Sequence, residues 1–362
     1  MPSLLKPSPS PPLLRRQPLV LLPLLVLLAG LLLPGPAIAA PKAQPGKEDE
    51  GMPGLDFGTG RMFDKIATRY DTINRVLALR MDIGWRRAMT TRLRELLGES
   101  DGESESGTGS WRILDVATGT ADVALQLVDD LSGGKGSGKT TVLGLDPSAN
   151  MLAVGRSKIE RRGLADAIVL EQADARDLGH YYEPGSKPTE LFDASTIAFG
   201  IRNVVPNREK ALCEIHRLLK PDGVLAILEF SQPTYQKDGV MGVAAGLFIQ
   251  HVVPLVGGLL SGGARKEYVH LQNSIRNFPG PEEFRDQLES LRCPLRPDDD
   301  DAYFYVGHFD MEETVHMNFG SVQLYVGRAA VRPKKEIHAD TPPPRGADTK
   351  LPPIAAVSGG EL

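Results

Sequence analysis

The sequence predicts an α/β fold, a doubly wound Rossmann-like sheet that is mostly parallel and ends in an antiparallel hairpin. Three observations carry this. Short apolar runs at Ile113–Val116, Thr141–Leu145, Ala167–Glu171, Phe192–Ile197 and Val224–Glu229 alternate with stretches of helical periodicity. Such alternation builds a parallel sheet covered by helices on both faces. The first run enters a turn of small residues, Ala117-Thr118-Gly119-Thr120-Ala121, with a helix expected from Asp122. The rhythm then stops, and Tyr303–Phe309 and Phe319–Val326 read as paired final strands.

In chain order, residues 1–40 stand apart from the fold. Lys6, Arg15 and Arg16 precede an apolar run from Leu19 to Leu33, and Ala37-Ile38-Ala39 supplies a small-x-small cleavage pattern. That is the layout of a secretory-type signal, with an uncleaved anchor as the alternative. Residues 41–60 are rich in Pro and Gly and read as a linker or transit segment. The folded domain is expected over 61–330 and a disordered, Pro-rich tail over 331–362.

Within the domain, Phe63, Ile66, Tyr70, Ile73 and Leu77 recur at helical steps, which predicts a helix over Met62–Leu97. Glu99–Ser110 is an acidic, Gly/Ser-rich loop. Gly133-x-x-x-x-Gly138-Lys139-Thr140 matches the phosphate-binding P-loop in letters. It follows a helix and precedes a strand, the reverse of the context a P-loop needs, and so reads as a solvated loop. Asn150–Arg162 is a helix, and another is expected to start at Pro206 and run through Leu219, with proline in its first turn. Lys220–Gly223 is a turn. Val240–Leu260 is apolar but holds Gln250 and His251, which favours a lid or interfacial helix over a membrane span. Tyr268–Leu288 is helical with a break at Phe278-Pro279, and Asp298–Asp301 is a solvated turn.

A net charge of -5 argues against a general nucleic-acid binder. Cys213 and Cys293 show neither a disulfide framework nor metal-ligand spacing, and Cys213 is expected to be inert core.

The function rests on the first turn and the acid Asp146 that ends the next strand. A strand, a small-residue turn, a helix and a strand-tip acid make a nucleoside site, the acid accepting from ribose hydroxyls. A dinucleotide site would need G-x-G-x-x-G under a pyrophosphate, yet this turn holds only Gly119, with Asp115 just ahead of it. An acid there repels pyrophosphate and suits a ligand with a cationic amino group. The residues therefore favour a class I methyltransferase sheet over a dinucleotide fold, with an ordinary strand–helix turn as the bland reading.

Several stretches carry a resemblance. MFDKIATRYDTIN (62–74), ILDVATGTAD (113–122), AFGIRNV (198–204), LLKPDGVLAILEF (218–230) and HLQNSIRNFPGPEEF (270–284) resemble the quinone-biosynthesis C-methyltransferases. Those enzymes methylate demethylmenaquinol or a methoxy-polyprenyl-benzoquinol. The resemblance spans about Met62–Arg328, and AFGIRN is its most specific piece. It implies S-adenosylmethionine as methyl donor, with contacts at Thr120, Asp146, Asp174 and Ala175. Asp146 would hold the ribose, Asp174 the adenine amino group beside the Ala175 backbone, and Asp115 and Gly119 the methionine end. Arg202 and Asn203 would lie over the site, past the fourth strand; Arg202 would stabilise a phenolate or lower the pKa of the hydroxyl, and Tyr70 would assist proton transfer. A surface ion pair for Arg202 and helix packing for Tyr70 are the alternatives. His251 and His270 are alternative bases, but a lone histidine in such a context is more often structural, and both are left out of the site. The family's turn usually has glycine where this chain has Ala121, which is tolerable if that residue keeps a negative φ.

The resemblance also implies a prenylated quinol substrate, a membrane surface as workplace, and a homodimer or a biosynthetic complex as the possible assembly. Alternatives are a methyltransferase of this fold with another lipid-like acceptor, or a catalytically silent quinone-binding subunit. The leader points to a plastid reached through the secretory route, or else to the matrix side of the mitochondrial inner membrane.

Overall fold

The structure is a computed structural model. It describes residue 64 and residues 67–100, 110–132, 140–181, 191–233, 235–247, 265–296, 299, 302 and 304–334. The leader, the linker, the P-loop-like stretch, residues 248–264 and the tail from 335 lie outside the described residues.

Two N-terminal helices, α1 (Ala67–Leu77) and α2 (Met81–Ser100), precede the sheet. Sequence periodicity predicts one helix here. The chain instead turns at Leu79 and Arg80, both at positive φ (50° and 62°). The Arg80 N–H reaches back to Arg75 O and the Leu79 N–H to Val76 O, which closes α1 with a Schellman motif made without glycine.

There follow β1 (Arg112–Val116), α3 (Asp122–Leu131), β2 (Thr141–Asp146), α4 (Ala149–Arg161), β3 (Ile168–Gln172) and β4 (Phe192–Ala198). A 3-10 turn at Ile201–Asn203 leads to α5 (Arg208–Leu218) and β5 (Leu219–Phe230). Then come α6 (Tyr235–Leu247), α7 (Arg265–Arg276), α8 (Pro281–Ser290), β6 (Tyr305–Met317) and β7 (Val322–Pro333). Pro206 does not open α5. It follows a cis Val205–Pro206 peptide bond, and the helix starts after Asn207, whose φ is 69°.

The strands form one sheet in the order β3-β2-β1-β4-β5-β7-β6. Strands β1 to β5 pair in parallel, while β7 runs antiparallel to both β5 and β6. The expected Lys220–Gly223 turn appears as an excursion inside β5. Leu219 sits opposite Phe192, the register shifts, and Val224 sits opposite Ala194. The hairpin is longer than its two apolar runs suggest. Tyr305 pairs with Pro333, so ordered chain continues past the expected start of the tail at Val331.

Period-two alternation sends neighbouring residues to opposite faces. Ile113, Val224, Ala226 and Leu228 join a core with α2, α3 and α4 through Met89, Leu93, Leu127 and Leu152. Leu114, Val116, Leu225 and Ile227 join the other core, with Leu212 and Ile215 of α5 and Phe284 and Leu288 of α8. Both faces of the central strands are thus dry, which is why those strands read as continuous apolar runs.

The two cysteines form a Cys213–Cys293 disulfide across a sequence separation of 80, against the sequence expectation. Cys213 lies on α5, and Cys293 pairs backbone-to-backbone with Gly307 at the start of β6. The sheet brings α5 and that segment together, and no local spacing rule reports such a contact.

Candidate active site

In an open α/β sheet the crevice for ligands lies beyond the carboxyl ends of the strands, where strand order reverses. Here the order reverses at β1, between β2 and β4. Beyond those tips lies a pocket that is partly open to solvent. Tyr70 of α1 lines it, with Ala117 and Gly119 of the first turn and Asp146 at the tip of β2. Asp174 and Ala175 after β3, Phe199, Gly200 and Asn203 after β4, and His270 of α7 complete the wall.

The first turn is a left-handed backbone. Ala117, Gly119 and Ala121 hold φ of 55°, 55° and 64°. The condition that Ala121 keep a negative φ therefore fails. Its N–H donates to Thr118 O and its carbonyl accepts from Leu125 N, so both backbone groups are fixed where α3 begins. An L-residue held there costs about 1–2 kcal/mol. The fold tolerates this at the edge of a site, where strain tends to collect. No side chain caps α3 at Ala121, so its first N–H groups rely on other partners.

Asp146 is tied into the same turn. Its Oδ2 accepts from Gly119 N at 2.9 Å and its Oδ1 from Ser148 N at 2.8 Å. An ionised carboxylate has about four acceptor positions, so two remain for ribose hydroxyls. Burial pushes its pKa up to about 6, opposed by the two N–H bonds and helped by the Asp64 charge. Asp115 takes a different place from the one expected. It lies beneath the turn, almost fully buried, accepting from the hydroxyls of Thr118 and Thr196 at 2.6 Å each. Burial pushes its pKa also up to about 6. It braces the turn from below, and Gly119 is the member of that pair that reaches the cavity wall.

Asp174 stands at the half-buried rim and pairs with Arg176, Nη2 to Oδ2, at 2.6 Å. That guanidinium holds its pKa below the usual carboxylate range. Thr120 faces away from the cavity wall. Its hydroxyl donates to Asp71 at 2.6 Å and accepts from Lys158 at 2.9 Å. Lys158 in turn pairs with Asp71 and Asp122, and Asp122 with Arg75 and Arg86. This polar network fastens α1 over the turn and holds Tyr70 at the site.

Arg202 is buried, and it is not a surface ion pair. Its Nη1 donates to Glu229 at 2.7 Å and to Phe199 O at 2.5 Å, and Glu229 also accepts the Arg202 N–H. The pair thus braces the arch from Phe199 to Asn203, while Asn203 and Gly200 reach the wall. Burial raises the Tyr70 pKa, and the charge of Arg202 pulls it the other way. Sequence reasoning missed Glu229 and the Asp71–Lys158 latch and set His270 aside. An acid at the tip of an otherwise apolar fifth strand was the available signal for Glu229.

A doubly wound sheet of this strand order, with a strand-tip acid held against a left-handed first turn, defines a nucleoside-binding site of the methyltransferase class. The ubiE/COQ5 methyltransferase family matches residues 56–291, and the chain belongs to that family. A demethylmenaquinone methyltransferase of Thermus thermophilus is 39% identical over 235 residues, 65% of this chain and 92% of the relative. A ubiquinone/menaquinone biosynthesis C-methyltransferase of Citrifermentans bemidjiense is 34% identical over 266 residues, 74% of this chain and 94% of the relative. One of the same name from Syntrophotalea carbinolica is 40% identical over 240 residues, 66% of this chain and 85% of the relative. The chain is a quinone-biosynthesis C-methyltransferase with S-adenosylmethionine as methyl donor. The residues present fit that donor. Gly119 leaves the turn backbone open, and the Asp146 carboxylate has acceptor capacity left at the wall.

Proposed function

We propose that this enzyme methylates a ring carbon of a prenylated naphthoquinol of the menaquinone or phylloquinone type. The observation that carries the choice is the 39% identity to a protein named demethylmenaquinone methyltransferase. A benzoquinol of ubiquinone synthesis is the second reading, favoured by relatives whose printed name covers both pathways. The bound donor supplies an electrophilic methyl group. Asp146 and the Gly119 turn hold the nucleoside end, Ala175 and Asp174 flank the base, and the arch from Phe199 to Asn203 faces the acceptor. Arg202, fixed by Glu229, holds positive charge beneath that arch and favours a phenolate there. The apolar lining of Ile197, Ile201 and Val204 excludes water from the ring. The purified full chain, given donor and each quinol in turn, should yield a methylated naphthoquinol by mass spectrometry. Methylation of the benzoquinol alone would move the assignment to the second reading.

We also propose that the enzyme works on a membrane surface, because a polyprenyl tail resides in the bilayer. Val240, Val243 and Leu247 on α6 and Phe319 in the β6–β7 turn are exposed, Val240 at 71%. These are supports for a peripheral contact. Among the described residues no helix is long and apolar enough to cross a membrane. The secretory-type leader supports a plastid reached through that route, and the Cys213–Cys293 disulfide suits a chain that passes an oxidising lumen. A fluorescent fusion of residues 1–60 tests this, since label in mitochondria would move the enzyme to the inner-membrane matrix face.

A further inference from the structure

Methylating a quinol carbon releases one proton. The carbon–sulfur bond of the donor breaks as the ring carbon–methyl bond forms. A hydroxyl proton must leave for its electron pair to feed that carbon. The ring C–H proton is then lost as aromaticity returns and the oxygen is reprotonated. Among the described residues, the titratable groups on the cavity wall are Tyr70, Asp146, Asp174 and His270. Asp146 is engaged by two backbone N–H groups at the donor end, and Asp174 by Arg176 at the rim. Burial raises the Tyr70 pKa, so its hydroxyl keeps its proton at neutral pH and serves as a donor.

His270 stands on the other side. Its helix α7 packs on the 3-10 turn that carries Asn203, and the next residue, Leu271, packs against Ile73 of α1. The half-buried imidazole thereby lines the same cavity as the acceptor arch and Tyr70. Imidazole is the one side chain whose ordinary pKa lets it take and release a proton near pH 7. We propose that His270 is the general base that takes the quinol hydroxyl proton, moves a proton from ring carbon to oxygen as the ring rearomatises, and passes the surplus one to solvent. This rests on the quinol reading above. The elements packed around it carry Tyr70, Asp71 and Arg75 on α1 and Arg202 in the 3-10 turn, and of these Tyr70 lines the cavity with it. Asp71 is held by Lys158, Arg75 by Asp82 and Asp122, and Arg202 by Glu229.

The test uses the full-length enzyme, S-adenosylmethionine and the quinol that the wild type turns over. His270→Gln should bind donor within a few-fold of wild type by calorimetry, which also reports folding. Its kcat should fall by about 10²- to 10⁴-fold, the usual contribution of a positioned base. The acidic limb of the kcat profile, taken at saturating donor so that the ionisation of Asp146 does not enter, should vanish. Persistence of that limb, at whatever rate, overturns the assignment. Should the variant be too slow to profile, added imidazole must restore turnover to His270→Ala, and absence of rescue counts against the base. A wild type that methylates neither quinol refutes the substrate reading, and this proposal falls with it.

Discussion

Asp146 Oδ2 accepts the backbone N–H of Gly119 at 2.9 Å, which fastens the tip of β2 to the left-handed turn after β1. The two halves of the nucleoside site are therefore one unit, and removing the acid disturbs both. Asp146→Ala should lose about 1.5–3 kcal/mol of donor affinity, the scale of a charged hydrogen bond. Calorimetry showing equal affinity would remove Asp146 from the site.

The same carboxylate makes donor binding depend on pH. Its pKa in the folded chain is about 6, raised from 3.8 mainly by burial. An acid with a raised folded pKa favours the native state when protonated, so its contribution to stability falls as pH rises from about 4 to about 6. Donor binding has the opposite sign, because ribose hydroxyls donate to the ionised form. Affinity should be flat above pH 7 and should drop up to tenfold per unit below pH 6. Asp146→Asn should flatten that step, and a step of unchanged size in the variant would assign it to another group.

A close approach of backbone sets a third expectation. A Cβ at Gly200 would lie 2.4 Å from Ala117 Cβ, where the acceptor arch rests on the first turn. Gly200→Ala should lose about 1–3 kcal/mol of stability, the range for overpacking. It should also weaken donor binding by displacing Ala117. A thermal melt matching wild type would show that the arch has slack there.

Much of this was legible in the sequence, for a physical reason. Strands β1, β2, β4 and β5 are dry on both faces, so they read as short apolar runs between turns. Asp146, Gly119, Asp174 and Ala175 lie where strand ends put them, and a strand end is a local feature. What stayed hidden depends on distant chain. Arg202 sits in the right segment, yet its guanidinium points to Glu229, 27 residues on. Thr120 is in the turn, but Asp71 and Lys158 draw its hydroxyl outward. The break at Leu79 and Arg80 lacks the glycine that would mark it, and Ala121 likewise carries a conformation that glycine usually signals.

The disulfide yields a fourth expectation. It closes a loop of 80 residues between α5 and the segment before β6. Loop-closure entropy for that length gives about 4.5 kcal/mol of stabilisation. Cys213→Ser with Cys293→Ser, or reduction of the wild type, should lower the melting temperature by several degrees while donor affinity stays within a few-fold. A melt insensitive to reductant would mean that the cysteines are not joined in solution.

The Arg202–Glu229 pair separates folding from chemistry. Both side chains are nearly inaccessible, at 5% and 0% exposure. Breaking such a pair by removing one member leaves a buried charge alone and costs about 3–5 kcal/mol, whereas two apolar replacements of similar volume are often neutral. Arg202→Met alone should therefore destabilise strongly, and so should Glu229→Met alone. The double variant should regain most of the stability. If Arg202 only braces the arch, turnover should return with it. If its charge favours the phenolate, turnover should stay down by roughly 10²-fold or more, the scale for losing one donor to a developing oxyanion. We expect the second outcome, with donor affinity within a few-fold of wild type. A stable double variant that turns over normally would make Arg202 a structural residue and leave the arch backbone, Asn203 and His270 to carry the acceptor chemistry.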